Sequence, residues 1–182
     1  MATLFVDKVD PQSGTSLEIG SSGDTITIPS GVTITNNGTQ TGFGGANTPS
    51  FKAYGGTQVI ADNTATVIAY NTELWDTDSD YDNSTYRFTP QVAGKYFVYS
   101  IIRVESGSSY NHLELRIRKN GGDMAHGFNS PKYYDSVNVC GLVDMNGSSD
   151  YIDFAIYQAS GGSLNTNGGR QFNQGGAFKI IT

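Results

Sequence analysis

Apolar residues in the second part of this chain recur at every other position, in short runs that end at Gly, Asn, Asp or Pro. In His112-Leu113-Glu114-Leu115-Arg116-Ile117-Arg118, Leu113, Leu115 and Ile117 fall on one face and polar groups on the other, the pattern of a strand buried on one side. Comparable runs from residue 50 onward are SFKAYG, TATVIAYN, YRFTPQ, GKYFVYSIIRV, VNVCGLVDMN, DYIDFAIYQ and GGAFKIIT. None carries apolar residues at helical spacing. The expected class is all-β, with roughly eight to ten antiparallel strands in a two-sheet sandwich or jelly roll. A chain of 182 residues has room for one such core and a smaller appendage.

The appendage is residues 1–41. In DTITIPSGVTITNNGT, Ile26 and Ile28 return six positions later as Val32 and Ile34 across a Pro-Ser-Gly break. That spacing suggests a β-helical coil, but solenoids need ~3 or more stacked units before they are stable. The expectation is a β-repeat stalk whose core, Ile26, Ile28, Val32 and Ile34, is completed by other subunits. Residues 42–49 read as a Gly-rich linker and residues 50–182 as the head. The absence of a Gly-X-Y run excludes a collagen stalk.

Charge and composition narrow the partners. The formal net charge is −6 and the 11 Lys and Arg are scattered, so no basic face is expected for nucleic acid. No window approaches the ~18 apolar residues of a membrane span, so no membrane insertion is expected. The opening MATLFVDKVDPQSG lacks the regions of a secretory leader, which makes a soluble chain without a signal peptide the expectation. The single cysteine, Cys140, rules out an internal disulfide, and its apolar surroundings predict a buried, inert thiol.

Residues 66–104, TVIAYNTELWDTDSDYDNSTYRFTPQVAGKYFVYSIIRV, resemble the front half of a C1q/TNF-like domain. Asn71, Asp76, Tyr81, Asp82, Phe88, Pro90, Gly94, Tyr96, Val98 and Tyr99 occupy its strand end, acidic loop, aromatic-Thr-x-Pro step and Gly-x-Tyr-x-aliphatic-aromatic strand. DYIDFAIYQASGGSLN, residues 150–165, resembles the family's Gly-Asp-x-Val/Ile strand, with Ser149 where Gly is usual, and GGAFKIIT is similar to the closing strand. The resemblance implies a ten-stranded jelly roll that packs as a homotrimer. The leader VDKVDPQSGTSLEIGSSGDTITIPSGVTITNNGTQTGFGG is similar to those of tail-fibre and other virion structural proteins of marine cyanobacterial phages, which implies a virion location.

Candidate chemistry is sparse. Asp76, Asp78, Asp80 and Asp82 alternate in one loop and could surround calcium, but Tyr81 and Arg87 stand where an EF-hand needs Gly and Glu. Ordinary turn residues are the favoured reading, and no cofactor is expected, calcium being the alternative. His112 and His126 have no third ligand at metal spacing. There is no Gly-x-Ser-x-Gly elbow, and no carboxylate pair stands out for glycoside hydrolysis, so no enzyme is expected. KNGGDMAHGFNSPKYYDS, residues 119–136, reads as a long loop in which Asn129, Tyr133, Tyr134 and Asp135 suit a host-surface glycan or protein. Arg170 lies in a second such loop. Phe51, Tyr54, Phe88, Tyr96, Phe97, Tyr99, Phe154, Tyr157 and Phe178 are assigned to the core and the threefold interface, and Trp75 to a plug at one sandwich end. The resulting expectation is a trimeric phage fibre or spike, attached to other virion proteins by its N-terminal segment, with an outward head for adhesion. The alternatives are a capsid decoration or cement protein clamping capsomers and, last, a glycan-degrading enzyme.

Overall fold

Five strands form the first sheet: β1 (Ser50–Tyr54), β4 (Thr72–Asp76), β7 (Gly94–Arg103), β10 (Ser136–Met145) and β13 (Asn173–Lys179), in the order β10-β7-β13-β1-β4. The second runs β5-β6-β11-β8-β9, from β5 (Tyr81–Asp82), β6 (Arg87–Phe88), β8 (His112–Lys119), β9 (Gly122–Asn129) and β11 (Ile152–Ala159), with β3 (Thr66–Val67) also paired to β11. A short pair, β2 (Val59–Ile60) with β12 (Leu164–Asn165), completes the elements, and all pairings are antiparallel. The computed structural model describes residues 9–37, 47–105, 112–129 and 136–180. By its internal contacts the chain divides into two units, Met1–Thr41 and Gly42–Thr182.

Alternation decides which side chains meet between the sheets. Along β7, Tyr96, Val98, Ser100 and Ile102 are buried, while Phe97, Tyr99, Ile101 and Arg103 face out. Along β8, Leu113, Leu115 and Ile117 point inward, as their spacing predicts. Phe51 stacks on Tyr81 at 4.4 Å between ring centroids and on Phe88 at 4.6 Å, and Phe88 meets the edge of Tyr96 at 5.8 Å. These rings fill one end of the core, a large apolar contribution in a small space. Trp75 does not plug that end: it is half exposed on the outer face of the first sheet, with the Lys52 ammonium over its ring.

Two buried tyrosines pair their hydroxyls within this core, while Gln158 Oε1 and Asn173 Oδ1 are buried without a hydrogen-bond partner. The Tyr70 phenol donates to the Gln174 carbonyl at 3.0 Å and accepts from the Ser100 hydroxyl at 2.6 Å, while Tyr81 donates to the Tyr70 carbonyl at 2.8 Å. Burial drives the Tyr70 phenol well above its ordinary range, so it acts as a neutral donor. On the other face of β11, Asp153 is buried against Arg118, which holds it through two bonds of 2.7 and 2.8 Å.

Where β9 passes over β10 the backbones nearly touch. A Cβ at Gly127 would lie 1.8 Å from the Asn138 carbonyl oxygen, so only glycine fits.

The first unit holds two turns. Asp24 donates its amide to Ser21 O at 2.9 Å and accepts the Ser21 amide on its side chain at 2.7 Å, while Val32 donates to Pro29 O at 3.2 Å. Gly20, Gly23 and Gly31 take positive φ at these turns. No strand occurs among the described residues 9–37, and Ile26, Ile28, Val32 and Ile34 are 46–60% exposed. The single chain leaves these apolar side chains open to solvent.

Candidate functional site

The outer face of the first sheet gathers apolar side chains among the polar Ser50, Lys52, Asn138 and Gln174. Its register sets Leu142, Phe97, Phe178 and Ser50 in one row, and Cys140, Tyr99, Gly176, Lys52 and Trp75 in the next. A third row holds Asn138, Ile101, Gln174 and Tyr54. Phe97 lies 5.4 Å from Phe178 and 6.3 Å from Tyr99, centroid to centroid, and Leu142 is 62% exposed. Tyr99 lies over Gly176, where a Cβ would come within 2.8 Å of the phenol oxygen. Outward apolar side chains gathered on one face, partly exposed as these are, are what an interaction site requires. Cys140 corrects the expectation of a buried thiol: it follows inward Val139 and precedes inward Gly141, so parity turns it outward onto this face, where it is exposed.

The long loop expected over residues 119–136 is instead largely strand β9, paired along β8, and the expected recognition residues fall partly on one end of the sandwich. Arg103, at the end of β7, pairs with Ser136 at the start of β10 and donates its amide to Phe172 O at 2.8 Å. The Asn129 side chain donates to Ser136 O at 2.8 Å, and the Arg103 guanidinium lies 5.1 Å from the Phe172 ring. Asn129 and exposed Arg170 therefore both sit where β7 finishes. Tyr133, Tyr134 and Asp135 lie outside the described residues.

The carboxylates of the acidic loop between β4 and β5 accept from backbone amides and hydroxyls around them. Asp76 accepts the Tyr81 amide at 2.8 Å, Asp80 the Gln91 amide at 3.1 Å, and Asp78 the Thr77 hydroxyl at 2.8 Å. Asp82 accepts both the amide and the hydroxyl of Ser84 and of Thr85, bonds that pull its carboxyl down to about 2. Asp76 Oδ1 is buried without a hydrogen-bond partner. Among the described residues no group of three or more His, Cys, Asp or Glu is arranged to hold a metal ion.

The second sheet's outer face carries a cluster that spacing along the chain does not reveal. Glu114 on β8 accepts from His112 Nε2 at 2.9 Å and from His126 Nδ1 on β9. Arg116 Nη2 donates to Glu114 at 3.3 Å, and its Nε lies 2.7 Å from Glu114 Oε1 but off the hydrogen-bond line. Arg116 also reaches Asp123 at 3.0 Å. Phe128 stacks on His126 and meets His112 edge-on, each at 5.7 Å, while Tyr157 on β11 packs on His112 at 5.5 Å. Strand parity alone puts His112, Glu114 and Arg116 on one face. The arrival of His126 depends on the β8–β9 register, in which Arg116 faces His126 and Glu114 faces Phe128.

Burial opposes ionisation of Glu114, but hydrogen bonds from His112, Arg116 and His126 outweigh it and hold the carboxyl below its ordinary 4.5. A carboxyl depressed in the folded state contributes stability above its unfolded value and loses it as pH falls through the folded value. The wild-type melting temperature is therefore expected to drop from pH 5 toward pH 3 more steeply than that of Glu114→Gln. Parallel slopes in a melting series across that range would refute the assignment.

Two antiparallel sheets in this order, with the chain crossing between them around one core, make the second unit a jelly roll of TNF type. No family model and no curated protein matches the sequence. Solved structures share the fold. The PRD1 vertex protein P5 superposes with a TM-score of 0.58 at 16% identity, over 75% of this chain and 99% of that one. Murine APRIL at pH 5.0 gives 0.57 at 12% identity, over 72% and 98%. Eiger TNF from S. frugiperda gives 0.54 at 12%, over 72% and 91%. At such identities the likeness is one of fold.

Proposed function

We propose that this chain is a structural protein of a bacteriophage particle, a homotrimeric fibre or spike that is not an enzyme and requires no cofactor. Three copies associate through the outer face of the first sheet. The observation that carries this reading is the outward set Phe97, Tyr99, Ile101, Leu142 and Phe178, of which Leu142 is exposed and the other four are partly exposed on a single copy. Residues 1–41 attach to other virion proteins, and the end bearing Asn129 and Arg170 turns outward for host-surface adhesion. The fold shared with the PRD1 vertex protein P5 supports a place on a virus particle, as does the leader's resemblance. Immunogold labelling of intact particles tests it. Label at fibres or spikes is expected; label spread over the capsid shell would replace this role with a cement role, and unlabelled particles would overturn both.

In the trimer, three copies of residues 24–34 bury Ile26, Ile28, Val32 and Ile34 against one another as a β-repeat stalk. Burial of each is worth about 1.5–3 kcal/mol. Ile28→Asp with Ile34→Asp is expected to speed proteolysis within residues 1–41 at least ~10-fold while residues 50–182 stay folded. Unchanged cleavage would refute the stalk.

A further inference from the structure

The cluster around Glu114 places its charges unevenly. The Glu114 side chain is only 7% exposed, whereas His112 and His126 are 40% and 34% exposed. The groups facing the imidazoles are Glu114 and Arg116 from β8, Asp123 from β9 and Tyr157 from β11. Histidine is the residue type that changes charge between pH 8 and 5. Glu114 is held ionised by hydrogen bonds from His112, Arg116 and His126, and Arg116, despite its burial, is held charged by Glu114 and Asp123. At neutral pH one guanidinium stands against two carboxylates. With both imidazoles protonated, three cations stand against two carboxylates, and the better buried of the two anions is hidden beneath them.

Phe128 rises from this patch, 66% exposed and flanked by both imidazoles. A partner matching such a face presents apolar ring surfaces and closely spaced anionic groups together. We infer that the outer face of β8 and β9 is a proton-gated docking site for an acidic polysaccharide, engaged at mildly acidic pH and released at neutral pH. The sugar ring lies on Phe128, and its acidic substituents pair with His112, His126 and Arg116. This face belongs to the second sheet, and the inference holds whether or not the first sheet associates.

Fluorescent dextran sulfate, uncharged dextran and a single-stranded DNA oligomer are titrated with the full chain at pH 5.5 and 7.5 and equal ionic strength. Dextran sulfate is expected to bind at least ~10-fold more tightly at pH 5.5, with no gain for dextran. In the His112→Gln, His126→Gln double variant the pH response should vanish, and His112→Gln alone, at the exposed rim, should lower it. Phe128→Ala should weaken binding at pH 5.5 without removing the response. An equal pH response in the double variant would trace it to overall charge and overturn the proposal. So would tighter binding of DNA than of dextran sulfate, or no binding at either pH.

Discussion

Replacing Phe97 and Leu142 together by Asp is expected to take the protein from a three-chain mass to a single-chain mass in light scattering. The two residues are direct neighbours across the β7–β10 ladder, in the row that also holds Phe178. Neither contributes to the buried core, since Tyr96, Val98 and Val143 occupy the inward positions on either side of them. The variant should therefore fold. Burying a large apolar side chain contributes about 1.5–3 kcal/mol. Because Leu142 is 62% exposed and Phe97 only partly exposed in the single chain, two positions in each of three copies amount to less than roughly 9–18 kcal/mol across the assembly, before the cost of desolvating six carboxylates is added. Val59→Asp, at an exposed position on β2, is the control and should leave the mass unchanged. If the double variant keeps the wild-type mass, or the wild type itself is a single chain, association through this face is refuted.

Phe88→Ala is expected to cost about 3–5 kcal/mol, the usual range for emptying a large buried aromatic site, and to lower the melting temperature by roughly 10 °C. Phe88 is fully buried between Phe51 and Tyr96. The adjoining ring of Tyr81 carries the hydroxyl that satisfies the Tyr70 carbonyl. The site collapses poorly because these neighbours are tied to the backbone: Tyr96 donates to Val92 O at 2.7 Å and Tyr81 to Tyr70 O at 2.8 Å. Denaturant melts of wild type and variant check the value. A loss below about 1 kcal/mol would show that the ring end of the core repacks.

Strand parity made much of this legible before any coordinates. β7, β8, β10 and β11 lie on the runs that alternation marks, and Leu113, Leu115 and Ile117 point inward as their spacing requires. Parity separates two faces without saying which is the core when both are apolar. In GKYFVYSIIRV, Tyr96 and Val98 alternate with Phe97 and Tyr99, so the nine aromatics could be assigned only jointly to core and interface. The structure divides them: Phe51, Phe88, Tyr96 and Phe154 are core, and Tyr54, Phe97, Tyr99 and Phe178 line the first outer face. Tyr157 belongs to neither, standing on the second outer face beside His112. Cys140 was legible in principle, since Val137 and Val139 set the inward parity; its apolar neighbours masked that. The meeting of His126 with Glu114 was not, because it depends on a cross-strand register that includes an irregularity between Ile117 and Arg118.

The Asn129 side chain, bonded to the Ser136 carbonyl at 2.8 Å, ties the end of β9 to the start of β10. With the ends cinched on paired strands, the closure entropy of the intervening segment grows only slowly with its length, about 0.6 kcal/mol for each doubling. In closure entropy, a longer connection between β9 and β10 therefore costs the two sheets little.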